Sequence, residues 1–182
     1  MAYPIPVHLR RTVFLVTLLL TVVVFWLMAA PLTTDHARCG IVSLELARVP
    51  EVAGLVIGSW TPDQQAQAVA SVRWDFVWLL CYSTTLSLAC VWAAGLFNRS
   101  TYLVSIGYAL AWLLWLAALL DTVENVALLQ MLGGATRPPW PALAYWCALA
   151  KFDIIFLGFV FVLTGGVAWL LGRRRKLPEI PG

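Results

Sequence analysis

The sequence predicts an all-α fold, a four-helix transmembrane bundle with a short amphipathic helix in the first extracytoplasmic loop. Hydrophobic residues make up 62% of the 182-residue chain and charged residues only 12%, about half the charged fraction of a typical soluble domain. The sequence also contains four apolar stretches that are long enough to cross a bilayer. A chain of this length and composition is expected to form one integral membrane domain over residues 1–182.

The four predicted spans cover residues 12–30, 74–97, 101–132 and 142–171. The first, TVFLVTLLLTVVVFWLMAA, is uncharged and longer than the apolar region of a signal peptide, so an uncleaved transmembrane helix is expected. The second helix should begin ahead of its span, because Thr61 suits an N-cap, Pro62 suits the first helical position and Gln64 can close a capping box. The segment GGATRPPWP ends the third span.

The outer loop, residues 31–73, is the only long connection. Its segment over residues 40–60, GIVSLELARVPEVAGLVIGSW, is too apolar for a free linker, and Pro50 interrupts it. These features predict an interfacial helix that covers the outer mouth of the bundle. Glu45 and Arg48 are three residues apart and are expected to pair on one helical turn.

The basic residues at the span ends predict the orientation. Seven lysines and arginines flank one side of the spans and four flank the other. The seven are Arg10, Arg11, Arg99, Arg173, Arg174, Arg175 and Lys176, and the four are Arg38, Arg48, Arg73 and Arg137. The positive-inside rule therefore predicts a multi-pass protein with both termini in the cytoplasm.

The composition also limits which kinds of partner and cofactor are expected. A net charge of +3 is too small to indicate nucleic acid, so the lipid bilayer is the expected partner, and the oligomeric state stays open. The two histidines lie outside the spans and far apart, so no metal site is expected, and no motif names a cofactor. The four cysteines have no CxxC spacing and are expected to be buried and free.

Charged side chains interrupt three of the spans at one depth. They are Asp75, Asp121, Glu124, Lys151 and Asp153. Each lies 20–25 residues along its helix from Arg99 or Arg173 at the cytoplasmic end. At about 1.5 Å per residue, all of them fall roughly 30–38 Å from that end, at the outer boundary of the hydrocarbon.

The spacing within LLDTVENVALL predicts a shared face. Asp121, Glu124 and Asn125 occupy positions i, i+3 and i+4 of the third span, and Asp75 and Tyr82, seven residues apart, share a face of the second. We therefore expect Asp121 and Glu124 to form one polar cluster with a lysine of the fourth span, with Asp75 within reach.

That lysine is Lys151, and the cluster has two interpretations. Lys151 could simply neutralise Asp121 or Glu124 and clamp two helices together. Alternatively the excess carboxylates face a watery pocket, bind a cation or hold protons, which indicates a ligand site. Lys151 and Asp153 differ by about 200° around their helix, and both are expected to border the bundle interior. The predicted ligand-binding residues are Asp75, Tyr82, Asp121, Glu124, Asn125, Lys151 and Asp153.

The segments GIVSLELA, WDFVWLLCYS, LLDTVENVALL and ALAKFDIIF resemble a family of uncharacterised bacterial four-span membrane proteins with a DxxEN motif in the third span. The resemblance implies a bacterial inner-membrane protein and no particular activity. A looser resemblance is to EXPERA-type domains, four-helix membrane folds whose buried acids bind or isomerise sterol-like ligands. The histidine of those isomerases is missing from the spans here.

The leading prediction is a membrane protein that binds a small molecule or lipid in a carboxylate-lined pocket at the outer leaflet. Whether the pocket also catalyses a reaction stays open; Glu124 and Asp121 are the candidates for acid/base chemistry, because adjacent carboxylates in a poorly hydrated site tend to retain a proton. The alternatives are proton- or cation-linked transport, which lacks an inverted repeat, and a non-enzymatic assembly subunit.

Overall fold

Within the described residues the chain forms six α-helices, one short 3-10 helix (Val7–Leu9) and no strand. The computed structural model describes residues 3–97 and 100–174, of which 172–174 are described by backbone alone. The helices are α1 (Arg10–Met28), α2 (Ile41–Glu45), α3 (Pro50–Gly58), α4 (Pro62–Leu96), α5 (Thr101–Leu132) and α6 (Trp140–Arg174). α1, α4, α5 and α6 are long and apolar enough to cross a membrane, which confirms the predicted all-α four-helix bundle.

The start of α4 confirms the capping box predicted from the sequence. Thr61 and Gln64 form a capping box, in which the Gln64 amide donates to Thr61 Oγ1 at 3.3 Å and the Thr61 amide donates to Gln64 Oε1 at 3.0 Å. These bonds satisfy amides that would otherwise lack partners at a helix start. The loop therefore covers residues 29–61 instead of 31–73, and α6 begins at Trp140, two residues before its predicted span.

The loop and the bundle share one core at the end of the bundle where α1 and α5 end and α4 and α6 begin, called here the loop end. Buried loop residues such as Leu44 and Val56 pack with buried residues of the bundle such as Leu128 and Met131. Trp60 joins the end of the loop to its start, because its indole nitrogen donates to the Leu32 carbonyl at 2.8 Å. The loop thus covers this end of the bundle, as predicted.

The loop differs from the prediction in two respects. It contains two short helices in place of one, because Pro50 starts α3 at a first-turn position that tolerates proline. Glu45 and Arg48 do not share a helical turn, since α2 ends at Glu45. Arg48 instead lies over the rings of Tyr145 and Trp146, with its guanidinium carbon 5.7 and 5.3 Å from their centroids.

α1 is the peripheral helix of the bundle. It packs mainly on α4, whereas α4, α5 and α6 pack on one another. Its polar links to α4 include the Trp78 indole nitrogen, which donates to the Thr21 carbonyl at 3.0 Å, and the Ser71 hydroxyl, which donates to the Met28 carbonyl at 3.1 Å. Because α1 is fastened to α4 and not to α6, a groove remains between α1 and α6.

The opposite end of the bundle, called here the terminal end, is closed by the start of the chain. The buried side chain of Tyr3 reaches between the helices, and its hydroxyl lies 2.8 Å from Ser87 Oγ. Ser87 donates its own hydrogen to the Ala111 carbonyl at 2.8 Å, so Tyr3 is the donor to Ser87. Arg175 and Lys176, and also Arg99 in the α4–α5 turn, lie outside the described residues.

Candidate functional site

Lys151 joins α5 to α6 at the centre of the candidate site. Its Nζ lies 2.7 Å from Asp121 Oδ1 and 2.9 Å from both carboxylate oxygens of Glu124. All three residues are buried, and Glu124 has no exposed surface. The i, i+3 spacing sets both acids on one face of α5, and α6 brings Lys151 to the same depth, as the sequence predicts.

Two further hydrogen bonds extend the cluster to α4. The Tyr82 hydroxyl donates to Asp121 Oδ2 at 2.9 Å, and the Asn125 amide donates to Asp75 Oδ2 at 2.6 Å. Tyr82, Asp75 and Asn125 are themselves buried. Six of the seven residues predicted from the sequence therefore come together across three helices.

Asp153, the seventh, does not join them. Its side chain is exposed, whereas Lys151 two positions earlier is buried against α5. The angular separation of about 200° explains the difference, because a helix that turns Lys151 inward turns Asp153 outward. Arg73 is likewise exposed and forms no ion pair among the described residues, so it does not neutralise Asp75.

Glu45 is a member of the cluster that sequence reasoning missed. Its carboxylate Oε2 lies 3.9 Å from Lys151 Nζ, and the residue is 8% exposed. Burial raises the pKa of Glu45, the Lys151 ammonium lowers it and the Asp121 carboxylate raises it, with a net increase. The signal that could have found it is its position in GIVSLELA, where it is the only charged residue of an apolar segment.

Every buried charged residue among the described residues now belongs to this cluster. The five are Glu45, Asp75, Asp121, Glu124 and Lys151. Both oxygens of Asp121 are engaged, one by Tyr82 and one by Lys151. In contrast, Glu45 Oε2 and Glu124 Oε2 are buried and accept no geometrically sound hydrogen bond from the protein, although Lys151 is close to both. Such acceptors are uncommon in folded proteins and call for an explanation.

A cavity of about 330 Å³ opens beside the cluster. It is bounded by α1, α2, α4, α5 and α6, and its polar wall consists of Glu45, Ser71, Asp75, Asp121 and Lys151. Ligand-binding clefts typically start at about this size and combine an apolar lining with a few polar groups. The remaining wall is apolar and includes Trp78 and Ile155.

Trp78 and Ile155 also border a second cavity, of about 290 Å³, which follows the groove between α1 and α6 toward the terminal end. Its lining is almost wholly apolar and consists of Phe14, Leu18, Thr21, Trp78, Tyr82, Thr85, Leu86, Ala89, Ile155, Phe159 and Val162. Between Phe14 and Met28, the two cavities follow α1 for about 21 Å, given a rise of about 1.5 Å per residue. A mostly apolar cavity with a few carboxylates in its wall thus adjoins an almost wholly apolar groove.

The cluster offers groups that can bind a polar molecule and transfer protons. Within the described residues, no three histidine, cysteine or acidic side chains are placed to hold a metal ion. The four cysteines are free, and Cys81, Cys90 and Cys147 are buried as expected, whereas Cys39 is exposed because it lies in the loop and not in a span. The carboxyl groups that line the cavity, those of Glu45, Asp75 and Asp121, can exchange hydrogen bonds or protons with a bound molecule.

Comparison with known proteins adds no relative: no protein family, curated protein or solved structure matches the chain. The fold and the geometry of the cluster define a multi-pass helical membrane protein with a buried carboxylate–lysine site. Its function has to be argued from that site.

Proposed function

We propose that the protein binds an amphipathic lipid-like molecule, with the polar head in the carboxylate-lined cavity and the apolar chain in the groove between α1 and α6. The observation that carries the proposal is that the two cavities adjoin, with Trp78 and Ile155 in the wall of both. An amphiphile has the same division into a polar and an apolar part. A wholly polar ligand would leave the apolar groove in contact with lipid or water.

The groove offers such a molecule a lateral route from the bilayer. α1 and α6 present mostly exposed apolar side chains, as helices in contact with lipid chains do. A lipid that entered between them would keep its chain in an apolar environment throughout. The positive-inside rule puts both termini in the cytoplasm and the cavity toward the outer leaflet. The sequence resemblance supports the inner membrane of a bacterium as the location.

Proton- or cation-linked transport fits the molecule less well. All buried charged residues among those described lie in the one cluster, and the core between it and the terminal end is built from apolar residues such as Leu88, Leu114 and Phe161. Tyr3 closes that end. Among the described residues, a transported ion would therefore meet no buried charged group on the second half of its route, and such groups normally mark ion pathways.

Acid/base chemistry on the bound molecule is the catalytic form of the same proposal. Glu124 and Asp121 are the candidates, because Lys151 contacts both and Asp121 lines the cavity. The geometry supports proton exchange with a head group, in which Lys151 stabilises the carboxylate that gives up its proton.

The test is a thermal-shift screen of the detergent-purified protein against phospholipids, isoprenoid alcohols, quinones and single-chain amphiphiles. We expect at least one class to raise the melting temperature of the wild type. Ala89→Trp, which fills the apolar groove, should abolish that rise, and Glu124→Gln should reduce it. The matched control is Ala109→Trp, at an exposed position of α5 outside the groove. No response in the wild type, or equal responses in Ala89→Trp and Ala109→Trp, would overturn the proposal.

A further inference from the structure

Two carboxyl groups from distant parts of the chain meet at the loop end. Glu45 Oε2 and Glu124 Oε2 are both buried, and neither accepts a geometrically sound hydrogen bond from the protein. The two side chains are within hydrogen-bonding reach of each other. An ionised carboxylate can only accept a hydrogen bond, whereas a protonated carboxyl group also donates one. One proton between these oxygens would therefore give each of them a partner.

The groups that face Glu45 favour such a proton. They are Asp75 of α4, Asp121 and Glu124 of α5 and Lys151 of α6. Lys151 cannot serve both members of the pair, because its Nζ lies 2.9 Å from Glu124 but 3.9 Å from Glu45 Oε2, too far for a hydrogen bond. Two ionised carboxylates in contact away from water repel each other, and a shared proton removes that repulsion. Burial likewise raises the pKa of Glu45.

Glu45 is also the polar fastening of α2 over the cavity. α2 contributes Ile41, Val42 and Glu45 to the cavity wall. Its Leu44 packs in the apolar core that the loop shares with the bundle. Within the described residues, the polar contacts of α2 with the four long helices are those of Glu45. Without them, apolar packing alone would hold α2 in place.

We propose that Glu45 and Glu124 share a proton and that this proton fastens α2 as a lid over the cavity. The protonated carboxyl group donates, and the ionised one, which Lys151 neutralises, accepts. Loss of the proton leaves two carboxylates in contact, so the pair becomes repulsive and the lid loosens. As a regulator of access to the cavity, the lid rests on the binding function proposed above, but its opening can be measured without a ligand.

The direction of the pH dependence follows from the closed and open states of the lid. In the closed state, burial raises the pKa of Glu45 above the ordinary glutamate value of about 4.3. In the open state, Glu45 is hydrated and releases its proton at the ordinary value. The closed state is therefore most favoured at low pH. As the pH rises from about 4.3 toward the higher pKa of the closed state, the opening equilibrium should increase about tenfold per pH unit.

Hydrogen exchange of the ligand-free protein in detergent measures this opening. The reporting amides are those of Leu46 and Ala47, which donate to carbonyls of α2 at 3.0 and 3.1 Å. Glu45→Gln is the reference variant, because its side-chain amide can donate to Glu124 at any pH and has no proton to lose. Comparison at the same pH cancels the pH dependence of the exchange chemistry. We expect the wild-type amides to exchange increasingly faster than those of Glu45→Gln as the pH rises, about tenfold per unit in the window above.

The matched control is Glu51→Gln, which removes an exposed carboxylate of the same loop. It should keep the wild-type pH dependence. A ratio of wild-type to Glu45→Gln exchange that does not change with pH would overturn the proposal, and so would a Glu51→Gln variant that behaves like Glu45→Gln.

Infrared spectroscopy tests the proton separately from the lid. A protonated carboxyl group has a carbonyl stretching band that an ionised carboxylate lacks. At about pH 5.5, roughly one unit above the ordinary glutamate pKa, the difference between wild type and Glu45→Gln should contain this band. Its absence would overturn the shared proton. If Glu45→Gln does not fold, Glu124→Gln, which replaces the other member of the pair by an amide donor, takes its place in both measurements.

The lid and the binding function fail in different ways. If exchange and infrared spectra show no shared proton but the lipid screen gives a response that Ala89→Trp abolishes, the binding function stands and the lid is wrong. If the lid opens with pH as expected but the lipid screen is silent, the binding function alone is wrong.

Discussion

Lys151 Nζ lies 2.7 Å from Asp121 Oδ1 and 2.9 Å from Glu124, so one ammonium group compensates two buried carboxylates of the neighbouring helix. None of the three has meaningful access to solvent. Loss of one partner should therefore cost more than loss of a matched pair, because the remaining charges cannot be hydrated.

The first prediction concerns this pairing. Lys151→Met should destabilise the bundle by about 3–5 kcal/mol, since it leaves Asp121 and Glu124 close together without a cation. The double variant Lys151→Met with Glu124→Gln should recover part of that loss. Melting of the two single variants and the double variant in detergent forms a double-mutant cycle. Additive losses would mean that Lys151 and Glu124 do not interact.

The second prediction concerns the hydrogen bond from Tyr82 to Asp121. Tyr82→Phe keeps the ring but removes the hydroxyl that donates to Asp121 Oδ2 at 2.9 Å. We expect a loss of about 1–3 kcal/mol, because a buried, charged acceptor is left with one donor fewer. Tyr102→Phe, at a position that is 74% exposed, should have no measurable effect. Equal melting temperatures for the two variants would show that the hydrogen bond does not contribute to stability.

Most of this cluster could be predicted because its members lie on long regular helices. On such helices, sequence separation gives depth through the rise per residue and gives direction through the turn angle. Asp121, Glu124 and Asn125 follow from their spacing, and Lys151 follows from its depth.

Most errors in the predicted site arise outside the long helices, where sequence separation does not give the depth and direction of a side chain. Glu45 lies in a loop of short helices, so its position depends on how the loop packs on the bundle, and sequence spacing suggested Arg48 as its partner instead. Asp153 is an error of another kind, because it lies on the long helix α6, where the angle that turns Lys151 inward turns Asp153 outward. The groove was not predictable either, because the spans do not indicate that α1 packs mainly on α4.

The third prediction concerns pH. Burial raises the pKa of Glu45, so the folded protein holds this proton more tightly than the unfolded chain does. The stabilisation that the protonated group contributes is fully present below the unfolded pKa and is lost as the pH rises through the higher folded pKa. The groups that face Glu45 are Asp75 of α4, Asp121 and Glu124 of α5 and Lys151 of α6.

The difference in stability between wild type and Glu45→Gln isolates this contribution. As the pH is raised from the ordinary range of a glutamate pKa, about 4.3, toward neutrality, the wild type should lose stability relative to Glu45→Gln. Melting temperatures across that range are the measurement. Glu51→Gln, at an exposed site, should follow the wild type. A wild type that gains stability relative to Glu45→Gln over this range would contradict the raised pKa.

The fourth prediction concerns the close approach of α4, α5 and α6 below the site. Among the glycines of the described helices, Gly107 of α5 makes the tightest contact. A Cβ added at Gly107 would lie 2.6 Å from Ala94 Cβ and 2.8 Å from the Phe161 ring. Gly166 of α6, by contrast, has nothing within 4 Å of such an atom.

Gly107→Ala should therefore destabilise the bundle by about 1–3 kcal/mol through overpacking, because neither the α4 backbone behind Ala94 nor the buried Phe161 ring can withdraw freely. Gly166→Ala is the matched control, since it makes the same change on a neighbouring helix without a clash. It should be neutral or stabilising by up to about 1 kcal/mol, the difference in helix propensity between alanine and glycine. Melting of both variants in one detergent provides the comparison. If Gly107→Ala were as stable as Gly166→Ala, the three helices could not approach one another this closely, and the position of Lys151 against α5 would have to be revised with them.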